Sequence, residues 1–237
     1  VDIAIAFIPV LFTLVIIFYW STSLKNAAIA ILRMLIQLML IGYALEFIFH
    51  ASNQWIILAV LSFMLLAASW IALGPLPVKR STLLACSVGA IAVGGIFNLV
   101  LISQGVLHAE PWYQPAILIP LAGMIFSNSM NSVSLAGERL YSELEHHNDY
   151  ARARSTAFQA ALIPITNSLL AVGLVSLPGM MTGQILAGTS PLIAARYQII
   201  VMCMIFSSAG ISTALFLWLI RKQCRQQTDE TGVDTCG

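Results

Sequence analysis

Ser127, Asn128, Asn131 and Ser134 recur at spacings of three and four residues, and with Met124 they form one stripe on a helix. The stripe interrupts an apolar run. In lipid such groups are costly, so each calls for a role or a partner. The stripe can be the hydrophilic wall of a translocation path, or it can bridge neighbouring helices, as Ser and Asn often do in membranes. A second set comprises Pro164, Thr166, Asn167 and Ser168. A proline inside a helix removes a donor and leaves a carbonyl without its helical partner. Pro164 is then either a hinge whose carbonyl faces the path beside Asn167, or a plain kink. A third set, Met180, Met181 and Gln184, sits in a segment crowded with Gly and Pro. Thioethers suit soft metal ions, yet methionine is also ordinary core filler. Whether a metal binds here stays open at this stage.

Charged residues supply the remaining candidates. Glu138, Arg139, Glu143, Arg152 and Arg154 cluster after the fifth apolar run, and Arg139 and Glu143 are four apart, so they can pair weakly on a helix. Arg33 and Gln37 share a face of the second run and read as buried polar residues, although Arg33 can also snorkel to the nearer interface. Glu46 can snorkel outward, and Asn98 reads as packing glue between helices. His146-His147-Asn148-Asp149 reads as a solvated turn or, less economically, a metal site. Cys86 and Cys203 lie in apolar runs, Cys224 and Cys236 in a polar tail, and no CxxC pair supports zinc or a disulfide framework.

The elements that must carry these residues follow from composition. Of 237 residues 59% are hydrophobic and 9% charged, against roughly 25% charged in a soluble domain, and the mean hydropathy is +0.90. A soluble fold of this size cannot cover so much apolar surface. Seven apolar runs stand out: 3–20, 27–49, 55–73, 82–102, 116–135, 162–177 and 197–220. Each is near the ~20 residues that span a bilayer. None alternates as a barrel strand does. The expectation is an all-α integral membrane protein with about seven transmembrane helices. One long helix, residues 116–144, extends into the cytoplasm, and a Pro/Gly-broken, partly re-entrant segment precedes the last span.

The chain opens on Val1, so a preceding N-terminal stretch is expected, and the first run lacks the basic region and cleavage signal of a signal peptide. Nine of the eleven Lys and Arg residues fall in alternate breaks. By the positive-inside rule this places the N-terminus outside and the C-terminus in the cytoplasm, in a plasma (inner) membrane. Residues 1–225 read as one transmembrane domain and 226–237 as a disordered cytoplasmic tail.

Several activities lack their motifs. There is no G-x-x-x-x-G-K-[ST] phosphate loop, no H-E-x-x-H and no G-x-S-x-G. The net charge of +1 gives no basic face for nucleic acid. No span pairs carboxylates, a common sign of ion-coupled carriers. The chain therefore reads as a non-enzyme without a cofactor of its own, drawing its energy from outside.

The stretch Ala160-Ala161-Leu162-Ile163-Pro164, followed by Asn167-Ser168, by the block from Gly173 through Leu177-Pro178-Gly179-Met180-Met181 to Gly188, and by Pro191 and Tyr197-Gln198-Ile199, resembles the Fet-type family of ABC-transporter permease subunits. Ile119-Pro120-Leu121-Ala122-Gly123-Met124-Ile125 and Arg33 with Gln37 match the same pattern. That family is linked to iron export in bacteria, and its plant relatives to aluminium tolerance. The resemblance implies a permease worked by a separate soluble ABC ATPase that binds the ATP, in a complex of two permeases and two ATPases. It also implies alternating access, with residues 138–154 passing motion to a path lined by Asn128, Asn131, Asn167 and the 178–188 break. One departure stands out: only Tyr141 to Gln159 intervene before the Ala160 block, and a Leu-Gly-Ala-Thr-like element expected there is absent. A stand-alone carrier or channel using the same stripe is the alternative, and a membrane scaffold without transport a third.

Overall fold

A computed structural model describes residues 3–20, 24–49, 53–146 and 149–231. Among these, eight α-helices follow one another: α1 (Ile3–Trp20), α2 (Leu24–Phe49), α3 (Gln54–Ala72), α4 (Arg80–Val100), α5 (Pro115–His146), α6 (Tyr150–Ala171), α7 (Gly179–Leu186) and α8 (Pro191–Thr231). A π-helical turn, Leu101–Val106, prolongs α4. Residues 232–237 of the tail lie outside the described residues, as do His147 and Asn148 of the His cluster.

Among the described residues five helices, not the expected seven, are long and apolar enough to cross a membrane: Leu24–Tyr43, Gln54–Ala72, Arg80–Val106, Pro115–Glu145 and Pro191–Arg221. Two of the expected spans are not among these five. Helix α1 is apolar along all 18 of its residues, and the stretch of it counted among the described residues is Phe7–Trp20. The expected span 162–177 straddles a helix end. Helix α6 opens on the polar Tyr-Ala-Arg-Ala-Arg-Ser-Thr and stops at Ala171. The residues beyond it fold into a tight turn in which Val175 N donates to Ala171 O at 2.8 Å and Gly173 N to Ser176 O at 2.9 Å. Periodic apolarity does not reveal that turn. Gly173 reveals it only in part, by taking φ 83°, a conformation that other residues adopt with strain. The parity argument for an external N-terminus falls with the seven-span count.

The chain forms two compact units, residues 1–52 and 53–237. The first is the α1–α2 hairpin. In α1, Pro9 is accommodated within the helix and its carbonyl accepts the Thr13 hydroxyl at 3.0 Å.

The second unit is a helix bundle whose directions can be read from its contacts. Ser87 Oγ donates to Ser69 O at 3.2 Å, setting α3 against α4. Ser207 Oγ donates to Asn98 Oδ1, and a Cβ added at Gly89 would touch Leu219 at 4.0 Å, so α8 runs antiparallel to α4. Leu76, in the α3–α4 turn, lies against Gly137 on α5. Tyr150 Oη, at the start of α6, donates to Leu217 O near the charged end of α8. Thus α5 and α8 point the same way, and α6 returns between them.

Small residues permit the closest approaches. Gly94 lies against Ser212 and Ser208, and Gly95 against Ile125 and Phe126. Gly and Ser at helix crossings let backbones approach where lipid offers no hydrophobic drive for association.

Candidate translocation face and coupling end

Helix α5 carries polar groups on two faces with different fates. Ser129 and Ser132 are buried, and Ser129 Oγ accepts the Ser212 hydroxyl of α8 at 3.2 Å. Ser127 and Asn131 are exposed, while Asn128 and Ser134 are half-buried. Asn128 Nδ2 donates to Met124 O at 2.8 Å and Ser127 Oγ to the same carbonyl at 3.3 Å, so both satisfy part of their need within their own helix. Asn131 and Ser134 make no side-chain hydrogen bond among the described residues. The stripe read from the sequence is therefore left facing away from the bundle interior. The interior polar seam is a separate set: Ser69, Ser87, Asn98, Ser129, Ser208, Ser212 and Thr213, all buried. Within it Asn98 donates to Gly94 O of its own helix at 2.8 Å and accepts from Ser207 of α8. Apart from Asn98, sequence reasoning passed over this seam. The signal was there in Ser208-x-x-x-Ser212, a small-residue spacing suited to helix contact, with Gly94-Gly95 facing it.

On α6, Pro164, Thr166, Asn167 and Ser168 are all exposed. The Pro164 carbonyl accepts the Ser168 hydroxyl at 3.0 Å, so it is not left empty for a path. The break after α6 contains the single short helix α7, flanked by left-handed Gly173 and Gly188 (φ 92°). Thr182 Oγ1 bonds back to Pro178 O at 3.1 Å. Met180 is exposed and Met181 half-buried. Gln184 is half-buried, and its Oε1 has no hydrogen-bond partner. A cavity of about 340 Å³ opens between the end of α6, the break and α8, with Met181, Gln198, Met202 and Cys203 in its wall.

Arg33 and Gln37 lie one turn apart on α2. They were expected to be buried, and the α1–α2 unit by itself leaves both exposed. The side chains of Glu46 and His146 lie outside the described ones.

The end of the second unit where α5 passes into α6 is charged. Arg139 Nη2 and Glu143 Oε1 meet at 2.6 Å, a pair worth about 0.3–0.5 kcal/mol at such exposure. Asp149 caps α6 by accepting from Ala151 N at 2.9 Å. Glu138, Arg152 and Arg154 are exposed. A groove lined by Arg154, Ser155, Phe158, Leu217 and Trp218 opens between α6 and α8. Lys79 and Arg80, whose guanidinium lies 5.5 Å from the Trp70 ring centroid, flank the α3–α4 turn at this same end. Arg221 follows on α8, whereas Arg196 lies near the start of that helix, at the opposite end. Among the described residues no group of three or more His, Cys, Asp or Glu is placed to hold a metal ion.

Comparison with known proteins completes the picture. The profile of a group described as "Uncharacterised protein family (UPF0014)" matches residues 1–225. The UPF0014 membrane protein slr1647 of Synechocystis is 39% identical over 229 residues, covering 82% of this chain and 87% of that protein. The probable iron export permease protein FetB of Escherichia coli is 37% identical over 207 residues, covering 79% of this chain and 76% of its own length. Protein ALUMINUM SENSITIVE 3 of Arabidopsis thaliana is 30% identical over 233 residues, covering 91% and 84%. No solved structure matches.

Proposed function

Because this chain belongs to the UPF0014 family of membrane proteins, which includes FetB and ALUMINUM SENSITIVE 3, we propose that it is the membrane-spanning permease subunit of an ABC transporter. In this reading a separate soluble ATPase binds and hydrolyses ATP, two permeases and two ATPases assemble, and the cargo is iron or another metal exported by alternating access. The observation that carries the reading is the likeness, over most of the chain, to a protein named as a probable iron export permease. Within this reading the labour is divided. The cation-rich end, with Arg139, Arg152 and Arg154, faces the cytoplasm by the positive-inside rule and meets the ATPase. Glu138 and Glu143 belong to the same contact. The outward face of α5, with Ser127, Asn128, Asn131 and Ser134, together with Asn167 on α6, lines the path. The break with Met180, Met181 and Gln184 forms its far portion.

The polar face also argues for a second copy. An amide exposed to hydrocarbon costs several kcal/mol when unpaired, so Asn131 and Asn167 call for water or another protomer. A two-permease complex supplies both, with a hydrated seam between copies.

Reconstitution tests the proposal. Vesicles containing the chain and its ATPase are expected to move metal only with ATP and magnesium. Flux from the chain alone, without nucleotide, establishes the stand-alone carrier instead. ATP hydrolysis by the complex with no metal moved removes the cargo assignment and keeps the permease.

A further inference from the structure

The cavity beside the break has a composition that the polar stripe does not share. Its wall is apolar apart from Gln198, and three sulfur side chains line it: Met181 from the short helix, and Met202 and the exposed Cys203, successive residues of the long last one. Gln198 and Met202 are one turn apart and share a face of α8. Gln198 is only 6% exposed, and its Oε1, without a hydrogen-bond partner, is covered rather than open to the cavity. Met180, next in sequence to Met181, does not line this cavity.

We propose that the cavity binds a soft monovalent cation through the thioethers of Met181 and Met202 and the sulfur of Cys203. Thioether and thiolate donors select soft ions, whereas hard ions take carboxylate, carbonyl and water oxygens. The site lacks the carboxylates a hard divalent ion needs, and it is set among Leu169, Val172 and Leu177. Metal binding requires the thiolate form of cysteine, so loading releases the Cys203 proton to solvent. The ion's single positive charge is then cancelled by the thiolate. The loaded cavity carries no net charge, and the large penalty for an isolated ion in an apolar setting is avoided. The site rests on the permease reading only in treating the ion as cargo; binding itself needs neither ATPase nor nucleotide.

The test uses the full chain in lipid nanodiscs, with Cys86, Cys224 and Cys236 changed to serine so that Cys203 is the only thiol. Silver(I) is the probe, because it is soft, monovalent and needs no reductant. Equilibrium binding is expected to saturate at one silver ion per chain, with sulfur neighbours in X-ray absorption. Met181→Leu and Met202→Leu are each expected to weaken binding at least tenfold, and Met34→Leu, at an exposed position of α2, to leave it unchanged. Met-to-Leu exchange nearly conserves volume, and unchanged size-exclusion profiles confirm the fold. Absence of saturable binding, or binding that survives in the Met181→Leu, Met202→Leu double variant, overturns the site. Silver binding that depends on both methionines, without ATP-driven flux in the assembled complex, upholds the site and removes the permease reading instead.

Discussion

The Cβ that alanine would add at Gly94 lies 2.9 Å from Ser212 N and still closer to Ser212 Oγ, so α4 and α8 must part to admit it. At Gly210, on the same α8, nothing lies within 4 Å. Gly94→Ala is therefore expected to destabilise the protein by about 1–3 kcal/mol. Gly210→Ala should be neutral or mildly stabilising, since alanine is the better helix former by up to ~1 kcal/mol. Thermal unfolding of both variants in detergent checks the pair, and equal losses would refute the close contact. Asn98 is the other residue on which this contact depends. Its replacement by alanine removes the acceptor for Ser207 and is expected to cost about 0.6–1.7 kcal/mol, the range of interhelical hydrogen bonds in membranes. These positions were only half legible in the sequence. Asn98 announces itself as an amide in an apolar run, whereas Gly94 looks like any glycine until Ser212 is seen across from it.

Helix α5 is the element whose role divides most clearly. At ~1.5 Å per residue its 32 residues reach about 48 Å, well beyond a ~30 Å core. One end therefore stands in water with Glu138, Arg139 and Glu143. Along the buried part, Ser129 and Ser132 serve the bundle, while Ser127 and Asn131 serve whatever lies outside it. Asn131→Leu and Asn167→Leu are expected to abolish ATP-driven flux without lowering the melting temperature, because neither amide makes an internal bond. A fall in stability that tracks the loss of flux would assign them to packing instead. Arg152→Glu with Arg154→Glu is expected to weaken co-purification with the ATPase at least tenfold and leave the bundle folded, since both side chains are exposed. The length of α5 and its charged end were readable from the run of residues and the onset of charge. Its division into inward and outward serines was not, because the sequence shows which residues share a face but not which face meets α8.

At the scale of the whole molecule, the cations provide the ordering principle. Cysteines placed at Lys79, Arg152 and Arg221 are expected to react with an impermeant maleimide from the cytoplasmic side alone, and cysteines at Gln114 and Thr189 from the opposite side alone. Labelling of Lys79→Cys and Arg221→Cys from different sides would break the bundle directions described above. Two of the seven spans predicted from the sequence are not among the five that qualify among the described residues. Residues 162–177 contain enough apolar side chains for a span, but the helix surrenders its last third to a turn at Gly173.

That turn, and the polar opening of α6, have a consequence for how the protein is made. A nascent segment is handed to lipid by the translocon when it is apolar enough to prefer the bilayer, as the five long helices are. Helix α6 is held by its neighbours instead: Tyr150 anchors it to α8 through the Leu217 carbonyl, and α8 is synthesised after it. Biogenesis is thus obliged to wait. A ribosome stalled before Leu217 leaves α6 without its anchor, and quality-control proteases are expected to clear such truncated chains faster than the full-length product.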